Sequence, residues 1–133
     1  MPHDKGPVSH SDGDALYHAI TDAILGALGE PDIGQLFPDQ DPRHESQDSR
    51  AFLAEAAQRA AKAGFTVVNL DATVILESPK LSPHKDLMRA NIAAALGVSV
   101  SAVNVKGKTH EKVDAVGEGR AVEVHCVLLL ARV

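Results

Sequence analysis

Tryptophan is absent from the 133 residues, and there are only one tyrosine and three phenylalanines. So few planar side chains leave few platforms on which bases could stack. With 13 basic against 18 acidic residues and a formal net charge of -5, the chain also lacks the positive field that nucleic acid demands. Nucleic acid is therefore excluded as an expected partner. A single cysteine, Cys126, cannot form an internal disulfide, and its place in an apolar run points to a packed thiol in a reducing compartment. The longest apolar run, 126–131, falls far short of the roughly 20 residues of a membrane helix. The opening Met1-Pro2-His3-Asp4 has neither the basic nor the apolar region of a secretion signal. These absences predict a soluble cytosolic protein with no membrane contact. Internal repeats and low-complexity stretches are missing too.

What is present suffices for one domain over residues 1–133. Composition is 44% hydrophobic, and alanine alone fills 20 positions, so the core has to be built from small side chains packed closely. A core with so few large anchors points to support from a partner subunit. Leu16, Ile20, Ile24 and Leu28 recur every four residues and Gly29 follows, which predicts a helix over 15–28. Residues 30–47 carry Pro31, Gly34, Pro38, Pro42 and five carboxylates, a long loop of the functional kind. Asp48 and Ser49 then cap a second predicted helix running to Lys62, with Gly64 at its end.

Residues 65–77 alternate as a half-buried strand, with Val68, Leu70, Ala72, Val74 and Leu76 on one face and Asn69, Asp71 and Thr73 on the other. The Ser82-Pro83 pair predicts a third helix to Leu96, stopped by Gly97. Two more strands are predicted at 103–109 and 121–132. The order α, α, β, α, β, β predicts an α+β fold, a small mixed β-sheet with helices packed on one face. The other face is left to meet something, and self-association is the economical answer.

Three clusters could carry chemistry. The first is His10-Ser11-Asp12-Gly13-Asp14 with His18 and Asp22, in which 14, 18 and 22 share one helix face. It reads either as a partial metal-ligand set or as helix capping beside a structural imidazole. The second is Asn104-Val105-Lys106-Gly107-Lys108-Thr109-His110-Glu111, where 104, 106 and 108 point to one side of a strand. That group suits phosphate and magnesium, or else an edge strand whose lysines oppose aggregation. The third, Pro79-Lys80-Leu81-Ser82-Pro83, suits an anion at a helix start or a capped turn.

Taken together, the ordered set resembles the 2-C-methyl-D-erythritol 2,4-cyclodiphosphate synthase family. It comprises His10-Ser11-Asp12-Gly13-Asp14, His18, Thr21-Asp22-Ala23, Asp32-Ile33-Gly34, Leu36-Phe37-Pro38-Asp39, Asp48-Ser49, Pro79-Lys80, Asn104-Val105-Lys106 and Glu111-Lys112, and so runs through nearly the whole chain. The resemblance implies a homotrimer with active sites between subunits. It also implies conversion of a cytidine diphosphate ester of methylerythritol 2-phosphate to a cyclic diphosphate with release of CMP. The 2-phosphate is itself the nucleophile, so positioning and charge neutralisation carry the reaction.

Residue by residue, the resemblance makes His18 a ligand of zinc or another divalent transition metal, and associates Glu111 with magnesium or manganese. It gives His10 and Thr109 transition-state stabilisation. Ser11, Asp32, Ile33, Gly34, Phe37, Pro38 and Asp39 fall in the methylerythritol phosphate pocket. Leu76, Glu77, Ser78, Pro79, Lys80, Leu81 and Ser82 fall in the cytidine segment, with Lys80 near phosphate and Lys108 also on the substrate. Bacterial cytosol or plastid stroma is implied as the location.

The pattern departs from the family in two places. The family's Asp-x-His metal motif lies on an opening strand that His3 and Asp4 do not reproduce, so a weakened zinc site and an absent first strand are expected. Near the end, Gly117-Glu118-Gly119-Arg120 exchanges the glutamate and arginine of the family's Gly-Arg-Gly-Glu. A trimeric remnant that binds cytidine nucleotide or a protein partner without turnover is the alternative reading. A metal-dependent phosphatase giving linear products is a third.

Overall fold

The computed structural model describes residues 11–31, 45–75, 84–108 and 123–133. Helix α1 spans Ser11–Ala27 and α2 spans Glu45–Lys62. Strand β1 spans Phe65–Ile75, α3 spans Lys85–Leu96, β2 spans Val103–Lys108 and β3 spans Glu123–Arg132. A single 3-10 turn, Val100–Ala102, leads into β2.

Sheet order is β2-β1-β3, with β1 parallel to β2 and antiparallel to β3. The sheet is thus mixed, as the sequence predicts. Its helix-facing side buries Val67, Leu70, Ala72 and Val74 of β1 and Val103 and Val105 of β2, against Leu16, Ile20, Ile24 and Leu25 of α1 and Ile92 of α3. The α2 contribution is Leu53, Ala56 and Ala60, at helical spacing. Its other face leaves Val68, Val127 and Leu129 exposed, Val127 at 74%.

Several expected boundaries shift. Helix α2 begins at Glu45, so Asp48 and Ser49 lie inside its first turns and do not cap it. Helix α3 begins at Lys85 with His84 at the N-cap and no side-chain cap bond, later than Ser82-Pro83, which lies outside the described residues. Its end is as expected, Gly97 adopting φ 70° and donating to Ala93 and Ala94 carbonyls. Strict alternation in β1 fails at one point. A register shift between Val67 and Asn69 inserts Val68 as an extra residue, so Val67 faces the core and Val68 turns out, the reverse of the expected assignment.

The β1–α3–β2 unit fixes which ends meet. Twelve residues of α3 rise about 18 Å and six of β2 about 20 Å, and only the short 97–102 connection separates them. The amino end of α3 therefore sits near the carboxyl ends of β1 and β2. Arg89 secures the connection, its guanidinium donating to the carbonyls of Val103 at 2.8 Å and Val100 at 3.1 Å.

Candidate active site

Register places the candidate site. Ile75 at the end of β1 lies opposite Lys108 at the end of β2 and Glu123 at the start of β3. The chain thus leaves or enters the sheet three times at this one end. The amino ends of helices gather there as well. A cleft of about 170 Å³ is lined by Gly13, Leu16 and Tyr17 of α1, Arg50 of α2, and His84, Leu87, Met88 and Asn91 at and after the start of α3. Helix amino ends and the carboxyl ends of parallel strands are the favoured surroundings for phosphate groups, because free N–H groups and aligned peptide dipoles point outward from them.

His18 lies on α1 facing α2. Its Nε2 is 2.9 Å from the Oγ of Ser49, a fully buried hydroxyl, and its ring is 6.4 Å from that of Phe52. The ring is half-buried and held at one nitrogen, as a metal-binding imidazole commonly is. Of the helix-face trio, Asp22 is exposed and the Asp14 side chain lies outside the description. Among the described residues no three His, Cys, Asp or Glu side chains converge on a common point. The described residues by themselves therefore do not make a metal site, which needs three or four ligands.

Asp71, Asn104 and Lys106 form a group on the exposed sheet face. The Asp71 carboxylate accepts from the Asn104 amide at 3.0 Å and from the Lys106 ammonium at 2.8 Å. These bonds, with Lys106 first, hold the Asp71 carboxyl below its usual pKa. Asn104 and Lys106 share a side of β2, as expected, but they are engaged with β1, and Lys108 is the exposed lysine at the strand end. On β3, burial pushes the Cys126 thiol up to about 12.

Of the expected site residues, His18 and Lys108 are placed by the structure, and Ser11 is the first residue of α1. His10, Asp32, Ile33, Gly34, Phe37, Pro38, Asp39, Leu76, Glu77, Ser78, Pro79, Lys80, Leu81, Ser82, Thr109 and Glu111 lie outside the described residues. Propensity makes Ser49 a cap and misses its contact with His18. A signal for that contact exists, since Ser49 shares the helical stripe of Leu53, Ala56 and Ala60, and a hydroxyl in an apolar stripe needs a partner.

A parallel strand–helix–strand unit with an antiparallel third strand, its helix amino ends gathered at the strand carboxyl ends, defines an α+β domain with a site suited to phosphate groups. The YgbB family model matches residues 1–131. A 2-C-methyl-D-erythritol 2,4-cyclodiphosphate synthase of Chromobacterium violaceum is 57% identical over 132 residues, covering 99% of this chain and 84% of its own length. The chain belongs to the YgbB family.

The synthase of rice, Oryza sativa subsp. japonica, named chloroplastic, is 54% identical over 99% of this chain, which spans 60% of that relative's length. Among solved structures, Plasmodium falciparum IspF in a CDP complex superposes with a TM-score of 0.82 at 41% identity, over 92% of this chain and 74% of its own. Among the described residues, no helix is long and apolar enough to cross a membrane.

Proposed function

We propose that this protein is a 2-C-methyl-D-erythritol 2,4-cyclodiphosphate synthase, converting 4-diphosphocytidyl-2-C-methyl-D-erythritol 2-phosphate to the cyclic diphosphate and CMP in the non-mevalonate route to isoprenoids. The observation that carries the reading is identity of 57% to a synthase over nearly the whole chain. The CDP in the Plasmodium complex supports a cytidine nucleotide as the group bound.

In the reaction the 2-phosphate oxygen attacks the β-phosphorus of the diphosphate, the bond to the cytidine-bearing phosphate breaks, and CMP leaves with that electron pair. No proton has to be removed from the nucleophile, so the protein's work is to bend the substrate and offset its charge. Divalent ions, when bound, would supply the cationic field that an acidic chain lacks, with His18 as one donor to a zinc-type ion and Glu111 serving magnesium or manganese. Lys108 at the end of β2 offers an exposed cation at the same end of the sheet, and His10 and Thr109 are assigned to the developing charge. Ser11, Asp32, Ile33, Gly34, Phe37, Pro38 and Asp39 are assigned to one half of the substrate and the 76–82 residues to the other.

The exposed sheet face, with Val127 and Leu129 beside the Asp71–Lys106 pair, supports self-association, which we assign as a homotrimer. The compartment is bacterial cytosol or plastid stroma, according to lineage.

One observation favours a second reading, a nucleotide-binding trimer without turnover. It is that no three candidate metal ligands converge among the described residues. Incubating the folded protein with the cytidine substrate, zinc and magnesium separates the two. Phosphorus NMR should show CMP and a cyclic diphosphate. Binding of CDP with no CMP released would select the second reading, and linear products would overturn both.

A further inference from the structure

Strand β2 lies at the edge of the sheet, beside β1. Val103 and Val105, both fully buried, fasten it to the core. The next residue on that side is Gly107, which has no side chain to bury, so the core holds β2 no further than Val105. Pairing with β1 nonetheless continues to Lys108, opposite Ile75. Residues 106–108 therefore need another hold.

The opposite face of the sheet supplies it. Asp71 stands on the central strand between Leu70 and Ala72, both buried, with Asn104 beside it on β2 and Val127 beside it on β3. It is a firm anchor. Its carboxylate accepts from the Asn104 amide at 3.0 Å and from the Lys106 ammonium at 2.8 Å, the first directly opposite and the second two places nearer the strand end. Lys106 thus reaches back along the sheet, and its charge is taken up by Asp71. Lys108, two residues further on the same face, is exposed and has no ion-pair partner among the described residues. The lowered pKa of Asp71 keeps the carboxylate charged, and the grip intact, through the neutral range.

We propose that Asp71 is a positioning residue for the carboxyl end of β2: by gripping Asn104 and Lys106 it fixes residues 106–108, and so sets where the Lys108 ammonium meets a phosphate group of the substrate. The proposal rests on the reading of Lys108 as a substrate contact of the synthase. Its test is a double-mutant cycle on the full chain, with Asp71→Ala, Lys108→Ala and the two together. Two readouts are taken, KM and kcat for CMP release and, independently of turnover, calorimetric affinity for CDP. Lys108→Ala should raise KM and the CDP Kd about 10-fold and Asp71→Ala about 3- to 10-fold, with kcat within about 2-fold, as loss of ground-state binding requires. The double variant should bind no worse than Lys108→Ala alone. Asp71→Asn, whose amide oxygen still accepts a hydrogen bond, should recover part of the loss.

Effects that multiply in the double variant would overturn the proposal, and so would native affinity in Asp71→Ala. Sedimentation at the assay concentration adds a third check: an Asp71→Ala chain that associates differently from the native one would assign Asp71 to a contact between subunits instead. If that variant fails to fold, Asp71→Asn takes its place in the cycle. Native CDP affinity in Lys108→Ala would remove the Lys108 reading and the proposal with it. Binding of CDP without CMP release by the native chain would overturn the synthase reading alone, and the cycle on CDP affinity would still decide the role of Asp71.

Discussion

Replacing Leu53 by alanine tests the claim that this fold depends on a tight seam between α1 and α2. Leu53 is fully buried, one turn beyond Ser49, and is followed on the same stripe by Ala56 and Ala60. Truncating a buried leucine costs about 2–5 kcal/mol, the larger values arising where neighbours cannot close the gap. Here the flanking alanines already hold the helices close and have no long side chain to swing into the void. The expected loss is therefore about 3–4 kcal/mol, out of roughly 5–15 kcal/mol for a typical domain.

With a urea slope of about 1–3 kcal/mol per molar, the unfolding midpoint should fall by about 2 M. Far-UV circular dichroism at one fixed protein concentration reads it, since subunit association would otherwise contribute. Ala54→Ser, on the exposed side of the same helix, should stay within about 0.5 kcal/mol of the native protein. A loss below about 1 kcal/mol for Leu53→Ala would refute the reasoning, because it would mean that the seam relaxes into the cavity.

Two glycines should respond in opposite directions. Gly26 lies within α1 with open space where a methyl would stand, so Gly26→Ala should raise stability by about 0.5–1 kcal/mol; Gly97, at φ 70°, is equally uncrowded, yet Gly97→Ala should cost about 1 kcal/mol through backbone strain alone, both read by thermal melting. Because the Asp71 pKa is lowered in the fold, its contribution is present above the ordinary carboxylate range and is lost as pH falls through the lowered value. Both partners are nearly half exposed, so Asp71→Asn should remove only a part within about 0–1 kcal/mol of the acid dependence of the urea midpoint. Cys126, with its thiol pushed up to about 12, should stay protonated at neutral pH and react with iodoacetamide far more slowly than in the urea-unfolded chain, as mass spectrometry would record. Equal rates in the two states would refute its burial.

Periodicity makes the elements legible because each is amphipathic against one core. Leu16, Ile20 and Ile24 announce α1, alternating Leu70, Ala72 and Val74 announce β1, and Val103 and Val105 announce β2, in agreement with their burial. The shift at Val68 is not legible, because Val67 and Val68 are chemically alike and only pairing with β3 decides which faces inward. The start of α2 is hidden for a related reason. Asp and Ser are strong caps by propensity, but a packed helix extends one turn further when its neighbours support it. At the site, sequence spacing places Asp14, His18 and Asp22 on one face but says nothing of α2, whose Ser49 is 31 residues from His18. Alternation likewise marks Asp71 only as a residue of the solvent face, although it gathers Asn104 and Lys106 from the neighbouring strand. Such contacts depend on which elements become neighbours, which local pattern does not encode.

Composition and site chemistry meet at the α1–α2 seam. A serine hydroxyl and an imidazole are short groups, and a 2.9 Å bond between them requires two helices that approach closely. Bulky side chains along the seam would hold the helices apart and break this bond, at a cost of about 0.5–1.5 kcal/mol. Alanine at 56 and 60 permits the approach, and Leu53 and Ile20 fill the remaining space. The abundance of alanine and the scarcity of aromatic residues thus describe a core that sacrifices large buried surfaces for close helix contact. On this reasoning Ala56→Leu should break the Ser49–His18 contact as well as lower stability, although residue 56 is two turns from Ser49. Shifted His18 ring resonances in a folded Ala56→Leu variant would bear this out. Native-like ring resonances in that variant would separate helix spacing from the contact.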